Sequence, residues 1–503
     1  MTAPLRLFDS LTREIREFQP IDPAMVRLYS CGPTVYNFAH LGNLRAYVFT
    51  DTLRRTLNWK GWPTNHVINI TDVGHLTSDA DAGDDKMEAA AQAQKKTIWE
   101  IAAFYTAAFK DDLARLNIMT PTLWSVATDH IQDMIEFARA IEANGYAYRL
   151  DGGLYFDTAR APDYGRLAGA RADEAVGRIA EVEGKRSPAD FALWRTSTAG
   201  EQRQMEWQSP WGPGAPGWHL ECSVMSAKYL GAQFDIHTGG IDHREIHHVN
   251  EIAQNQAHSC SAATGANWWM HNNFLIDRGG KMSKSAGGFA TLQSLVDRGV
   301  HPLAYRLFCL SGHYRSELEF SPDNVLAALT RLKRLAIAVA QLRAKAGNAG
   351  WSGVLDDAAF SRGASLSYQR SVIEAGLPAA ALALLERFDA ALADDLATPR
   401  ALPLLDEALA AKAIAPGDRL KVVASMDLVL GLGLLTVDRA ALRIRPAGAG
   451  IDADAIETAL AQRLAARAAK DYATSDAIRD RLGTAGVELM DGDALGWDWK
   501  VSL

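Results

Sequence analysis

The sequence predicts an α/β chain: a parallel sheet interrupted by an inserted subdomain, then an α-helical bundle, then a small C-terminal α+β module. Three observations carry that prediction. Apolar stretches at Val26–Ser30 and Asn65–Ile70 flank a segment of helical period, the strand–helix–strand unit of a doubly wound nucleotide-binding fold. The same alternation of strand and helix resumes after residue 217. From about Pro322 the chain turns Ala- and Leu-rich, with an apolar stripe at Leu326, Leu329, Leu332, Leu335, Val339 and Leu342.

Val26–Ser30 is β-branched and aromatic, and Gly32 and Pro33 break it. Ala46, Phe49, Leu53 and Leu57 then recur at helical spacing, so a helix is expected from Ala46. A sharp strand-to-helix turn is a natural phosphate seat, because unpaired N–H groups and the positive helix end point into it. This turn carries Cys31 at the strand end and His40, Gly42 and Asn43 at the helix start. Gly61 and Pro63 lead to the second strand, which ends in Thr71-Asp72-Val73-Gly74. Ser78–Asp85 reads as a surface loop, Lys86–Asp112 as one long helix, and about Asp129–Asn144 as another.

Tyr146–Asp157 reads as a β-hairpin around Asp151-Gly152-Gly153. Residues 158–217 hold five prolines with Trp194, Trp207 and Trp211, and read as the loop-rich part of an insertion spanning about 145–217. A helix from about Leu220, a strand at Phe234–His237, a helix near Asp242 and a strand at Asn273–Ile276 complete a first domain, 1–321. That last strand leads into a glycine-flanked loop, 279–288, holding Lys281-Met282-Ser283-Lys284-Ser285. The helical bundle covers 322–444, with loops at Gly347–Gly353 and Ala415–Asp418. Arg445–Gly450 is a linker. The tail module, 451–503, reads as one helix, Ile456–Leu482, followed by Val487–Met490, Asp491-Gly492 and Trp497–Lys500.

At 503 residues the chain exceeds what one core supports, ~250–300 residues. With 48% hydrophobic and 22% charged residues it has a soluble globular composition. The first residues lack a basic, apolar leader pattern and no apolar run is long enough for a bilayer, so a cytoplasmic protein without membrane contact is expected. Four scattered cysteines, Cys31, Cys222, Cys260 and Cys309, do not make a disulfide framework; in a reducing compartment they point to metal or catalysis. The net charge of −8 argues against whole-surface nucleic-acid binding and leaves room for a local basic face.

Two lysines and two serines on a glycine-flanked loop suit a polyphosphate whose charge grows in a transition state. Together with His40-Leu41-Gly42-Asn43, this loop resembles the two signature motifs of class I aminoacyl-tRNA synthetases. Cys31-Gly32-Pro33-Thr34-Val35-Tyr36, Asn69-Ile70-Thr71-Asp72, Asp190-Phe191-Ala192-Leu193-Trp194 and Gly217-Trp218-His219-Leu220-Glu221-Cys222-Ser223 resemble cysteinyl-tRNA synthetases more specifically. So do Phe234-Asp235-Ile236-His237 and His247-His248-Val249-Asn250-Glu251-Ile252-Ala253-Gln254. The resemblance runs from about Leu5 to the C-terminus.

The resemblance implies a class I Rossmann-type catalytic domain and a Zn²⁺ ion, one per chain, on Cys31, Cys222, His247 and Glu251. The residues agree: His247 and Glu251, four apart, leave one helix face, and two thiolates, an imidazole and a carboxylate suit zinc. Spacing alone leaves His243 and His248 as competing donors. A zinc-protease reading fails, because Arg244 stands where that motif needs Glu. Zinc would choose cysteine by its thiol, where a fitted pocket would discriminate by only ~10–200-fold.

The implied reaction joins L-cysteine and ATP, with Mg²⁺, into cysteinyl-adenylate, and passes the aminoacyl group to tRNA(Cys). His40, Gly42 and Asn43 would contact ATP, together with Lys281, Met282 and Lys284. Lys281 and Lys284 would stabilise the α-phosphate transition state. Gly32, Thr71, Trp218 and Asp242 would form the cysteine pocket, Trp218 as a wall and Thr71 or Asp242 at the ammonium. The bundle, with Phe388–Leu392 and Asp394–Arg400, resembles the family's helical tRNA-binding domain. In the tail, Arg463, Arg467, Lys470, Arg479 and Arg481 with Trp497 and Trp499 suit splayed anticodon bases, and equally suit a solvated helix face over two core tryptophans. The enzyme is expected to act as a monomer.

The chain departs from the pattern at Asn43, where a second histidine is usual, and at Ala286, Gly288 and Ala215. Two other readings stand beside this one. A ligase joining cysteine to a small aminosugar shares both signatures but should lack the roughly 180 residues after 322. A tRNA-binding paralogue without catalysis is argued against by the intact lysine loop and ligand set.

Overall fold

The computed structural model describes residues 3–73, 86–169, 183–197, 203–277, 280–281, 291–347, 365–490 and 495–503. The chain opens with an antiparallel pair, β1 (Arg6–Asp9) and β2 (Glu14–Glu17). Then comes β3 (Val26–Ser30), and α1 (Leu41–Trp59) starts five residues before the apolar period that predicted it. The periodic residues mark the buried face of α1, whereas its start is set by a cap: the His40 side chain accepts from Asn43 N, and the Asn43 side chain accepts from His40 N.

β4 (Thr64–Ile70) follows. The expected single helix over Lys86–Asp112 is two, α2 (Lys86–Gln94) and α3 (Ile98–Arg115). Lys95 takes φ +53°, and Thr97 with Glu100 restarts the helix through a second capping box. β5 (Leu123–Val126) leads through a short 3₁₀ turn into α4 (Ile131–Ala143).

The described part of the insertion holds more regular structure than its prolines imply. β6 (Ala147–Leu150), β7 (Gly153–Phe156), β8 (Phe191–Thr196) and β9 (Gly214–Pro216) form one antiparallel sheet in that order. β8 is buried on both faces, so it lacks the alternation that would have marked it as a strand.

After α5 (Trp218–Leu230) and β10 (Phe234–Gly240), a five-residue helix α6 (Ile241–Glu245) breaks at Ile246 and restarts as α7 (His247–Ser259). β11 (Ala266–Asn272), without a β-branched residue, escaped the sequence reading, yet it completes the main sheet. The expected strand at Asn273–Ile276 is instead β12 (Leu275–Asp277), outside that sheet. It pairs with β13 (Gly280–Lys281) and with a later strand at Leu318–Glu319. The main sheet is wholly parallel with order β11-β10-β3-β4-β5.

α8 (Leu292–Val296) and α9 (Pro302–Ser311) precede β14 (Leu318–Glu319). The bundle follows as α10 (Pro322–Ala346), α11 (Leu366–Glu374), α12 (Ala379–Ala393), α13 (Thr398–Ala410) and α14 (Pro416–Leu430). One continuous core joins α1 to this bundle, with Leu44 and Trp59 in the same cluster as Leu332, Phe388 and Val422. Asp389 and Asp395, in the motifs that resemble a tRNA-binding domain, are buried and face the first domain. Asp389 pairs with Lys60 at 2.5 Å, and Asp395 accepts from Arg315 Nε at 2.6 Å.

In the tail, the expected single helix is an antiparallel pair, α15 (Ala453–Ala468) and α16 (Tyr472–Thr484). Lys470 at φ +61° makes the turn, and Asp471 caps the second helix. β15 (Val487–Leu489) and β16 (Trp497–Trp499) close the tail as a hairpin. Trp497 and Trp499 are 1% and 4% exposed in the tail's own core. Of the two readings open for these rings, core and base-stacking, the structure gives the core: a module this small spends its large apolar rings there. Asp498 docks the tail on the bundle through Lys333 and Arg439. Among the described residues no helix is long and apolar enough to cross a membrane.

Candidate active site and metal centre

The strand order reverses between β3 and β10, and a cavity of about 260 Å³ opens at the carboxyl ends of these two strands. Ser30 and Thr238 are register partners there, with hydroxyls 2.7 Å apart. Cys31, Gly32, Thr71, Trp218, Cys222, Asp242 and His247 line one side of the cavity, and His40, Gly42 and Asn43 the other. Ten of the residues expected at the site thus meet in one place, although they are up to 216 positions apart. Glu251 lies behind that wall and is fully buried.

Cys31, Cys222, His247 and Glu251 each present a ligand atom, and these atoms all lie within 4.8 Å of one another. His247 Nε2 is 3.4 Å from Cys222 Sγ and 3.2 Å from Glu251 Oε1, while Cys31 Sγ is 3.9 Å from Glu251 Oε1. Two soft donors, an imidazole nitrogen and a carboxylate oxygen converging in this way fit a tetrahedral divalent ion.

The outward atoms of these donors are held as well. Glu251 Oε2 lies 3.0 Å from His237 Nε2, and His247 Nδ1 lies 2.9 Å from His219 Nδ1. Such backing orients a ligand and raises its basicity. Burial pushes the Cys31 thiol well above its usual range. A hydrogen bond from Cys31 pulls Cys222 down, but burial and the charges of Glu251 and Glu221 outweigh it, and the net shift is upward. A cation is what would hold both as thiolates.

A second grouping, Cys31, His237, His248 and Glu251, meets the same distance condition. His248 Nε2 is 3.2 Å from Cys31 Sγ, and its Nδ1 continues to His271 Nε2 at 2.8 Å and from there to Ser10 Oγ at 2.8 Å. Burial lowers His248 and His271 well below the usual imidazole value, so both are neutral. His248 thus remains a donor in reach, as the spacing had left it. His237 and His219 stood in quoted motifs without a role of their own, and His271 in none; β10 and β11, which carry His237 and His271, are buried on both faces, so alternation says nothing about which of their side chains meet the cluster.

Next to Cys31, Gly32 is required by a close approach: a Cβ there would stand 1.5 Å from the Asn69 carbonyl oxygen. The Gly32 N–H donates to Asn69 Oδ1 at 2.7 Å, and Asn69 Nδ2 donates to Thr71 Oγ1 at 3.0 Å. Glu221, hydrogen-bonded to Thr71, is pushed up to about 8 by burial, with Asp72 adding to the rise and Thr71 and Arg195 opposing it. Trp218 stacks obliquely on His247, ring centroids 4.5 Å apart, so cavity wall and metal cluster share a surface. Asp242 follows Gly240, where a Cβ would come 2.4 Å from Asp242 Oδ1.

At the start of α1, His40 Nδ1 accepts from Asn43 N at 3.1 Å and Asn43 Oδ1 accepts from His40 N at 3.3 Å. In the neutral ring the proton then sits on Nε2. A Cβ at Gly42 would press on the His40 ring at 3.0 Å. Lys281 pairs with Ile276 in the backbone ladder, and Thr291 bridges to His40. The described residues on either side of the lysine loop therefore lie beside the His40–Asn43 cap. Met282 and Lys284 lie outside the described residues.

Residues 17–330 match the family described as tRNA synthetases class I (C) catalytic domain. The chain is 64% identical to a cysteine–tRNA ligase of Zymomonas mobilis, over 99% of this chain and 98% of that one. It is 57% identical to a cysteine–tRNA ligase of Novosphingobium aromaticivorans, over 100% and 98% respectively. In fold it resembles Agrobacterium radiobacter K84 agnB2 LeuRS in its ternary complex with tRNA and LeuAMS. The TM-score is 0.52 at 11% identity, over 86% of each chain. Sheet order, site and relatives agree, and the chain belongs to the cysteine–tRNA ligase family of class I aminoacyl-tRNA synthetases.

Proposed function

We propose how this chain divides the work of its family's reaction, the ATP-dependent ligation of cysteine to tRNA(Cys). Cys31, Cys222, His247 and Glu251 hold one Zn²⁺, backed by His237 and His219. When bound, that ion binds a thiolate far better than a hydroxyl and so separates cysteine from serine. The convergence of four donor atoms within 4.8 Å at the cavity wall is the observation that carries this reading.

Trp218 closes the pocket around the side chain, and Gly32 leaves the room a Cβ would take. Thr71, with a hydroxyl fixed by Asn69, and Asp242 receive the ammonium. The carboxylate attacks the α-phosphate of ATP, which enters with Mg²⁺, and pyrophosphate leaves. His40 Nε2–H donates to ATP, Gly42 admits the nucleotide, and Asn43 acts chiefly through the cap that orients His40. Lys281, Met282 and Lys284 contact the phosphates, the lysines countering charge as it develops. The adenylate then transfers its aminoacyl group to the terminal ribose of tRNA(Cys).

The bundle 322–444 and the tail 451–503 take the tRNA stem and anticodon. The tail meets it through exposed Arg467 on α15, Lys470 in the turn and Arg481 on α16, with Arg479, which pairs with Asp476 and Asp480. The enzyme works as a monomer in the cytoplasm. Cysteine-dependent ATP–pyrophosphate exchange, with and without zinc chelation, tests the first half, and charging of tRNA(Cys) tests the second. Exchange equally fast with serine overturns the zinc–thiolate selection. Exchange without charging overturns the choice of acceptor.

A further inference from the structure

The mouth of the cavity carries apolar surface that the steps above do not use. Phe38, two residues before the His40 cap, lines the cavity with 43% of its surface exposed, and Phe104 on α3 is 46% exposed. The two rings meet edge-to-face at 5.9 Å, and Phe38 meets Tyr105 the same way at 5.1 Å. Tyr105 is buried, and its hydroxyl accepts from Gln94 Nε2 at 2.9 Å, so the floor under these rings is fixed. Lys96 Nζ stands 4.9 Å over the Phe104 ring, next to the exposed Lys95.

Scattered exposed apolar residues need no account, but two packed phenylalanines at a cavity rim with an ammonium over them do. An exposed aromatic ring, braced by a second one and beside a cation, fits a base linked to a phosphate. We propose that Phe38 and Phe104 are a stacking platform, with Lys96 as its phosphate contact, for the unpaired 3′ nucleotides of tRNA whose terminal ribose enters the cavity. The inference rests on the tRNA-charging reading above. Two observations select this occupant: Phe38 belongs both to the platform and to the reaction cavity, and the lysines match a polyanion.

The test compares wild type, Phe104→Ala, Phe104→Trp and Lys96→Ala in charging of tRNA(Cys) and in ATP–pyrophosphate exchange. Loss of one stacked base raises the KM for tRNA about 5-fold or more in Phe104→Ala, while exchange stays within about twofold. Phe104→Trp restores the KM. Lys96→Ala lowers the salt slope of tRNA binding by about one. With tRNA lacking its unpaired 3′ nucleotides, wild type and Phe104→Ala bind equally.

An unchanged KM in Phe104→Ala overturns the proposal. So does an equal loss in exchange, which would give the platform to ATP or to folding, and so does a defect that persists on the shortened tRNA. A wild-type enzyme that exchanges but never charges tRNA overturns the parent reading and this one with it.

Discussion

Asn69 Oδ1 accepts the Gly32 N–H at 2.7 Å, and that contact fixes which way the Asn69 amide faces. Its Nδ2 must then donate to Thr71 Oγ1, 3.0 Å away, leaving the Thr71 hydroxyl oriented beside the cavity. Asn69→Leu strands both partners, a loss of about 1–3 kcal/mol for such buried groups. The KM for cysteine in pyrophosphate exchange should rise about 5- to 100-fold, with the KM for ATP little changed. Equal changes in both would show that Asn69 serves the fold and not the amino acid.

The metal centre makes a graded prediction. Wild-type protein should carry one zinc per chain by elemental analysis, and Cys222→Ala should carry little and lose cysteine-dependent exchange. His237→Ala removes only the backing of Glu251, so zinc affinity should fall about 10- to 100-fold while the ion still binds at high concentration. Wild-type affinity in His237→Ala, measured by competition with a chelator, would contradict the assignment.

His40 and Asn43 separate capping from chemistry. Asn43→Ala removes the acceptor for the His40 N–H and should cost about 1 kcal/mol in urea unfolding. His40→Asn keeps a good capping residue and should unfold near wild type, yet it should lose most exchange activity. A His40→Asn enzyme as active as wild type would remove the ring from the reaction.

His301 gives a pH signature. Its Nδ1 accepts from Leu303 N at 3.2 Å at the start of α9, and burial, with Arg115 adding to it, lowers it to about 4. The folded state therefore binds this proton less readily than the unfolded chain. The contribution of the neutral ring is full above about 6.5 and is lost as pH falls from there toward 4. His301→Asn should keep the cap and flatten that part of the Tm-against-pH curve. A mutant curve parallel to wild type across this window would rule the group out.

The sheet was legible where each strand lay between clear breakers, as Val26–Ser30 did. It was illegible at β11, where Trp268 and Trp269 sit in a strand without one β-branched residue. Long helices ran together because periodicity continues across Lys95 and Lys470, exposed residues that take a positive φ after a helix end without the glycine or asparagine that usually announces one. At the site, i and i+4 spacing put His247 and Glu251 on one face. No sequence interval could bring His237 against Glu251 or Asn69 against Gly32, since the first contact joins β10 to helix α7 and the second joins β4 to the loop after β3. Asn43 looked like a departure at the level of motif, and its side chain proved to be half of a cap.

The far end of α1 has a consequence for how the chain can be cut. Arg55 Nη1 reaches Leu428 O at 3.0 Å and Trp59 Nε1 reaches Ser425 Oγ at 3.3 Å. Lys60 meets Asp389 with both side chains almost wholly buried. A chain stopped before Pro322 would turn all of these toward water, together with the face of α1 they protect. That boundary is a packed interface, not a seam along which the protein comes apart. A shorter catalytic unit would have to evolve or be given a new surface on that side before it could exist alone.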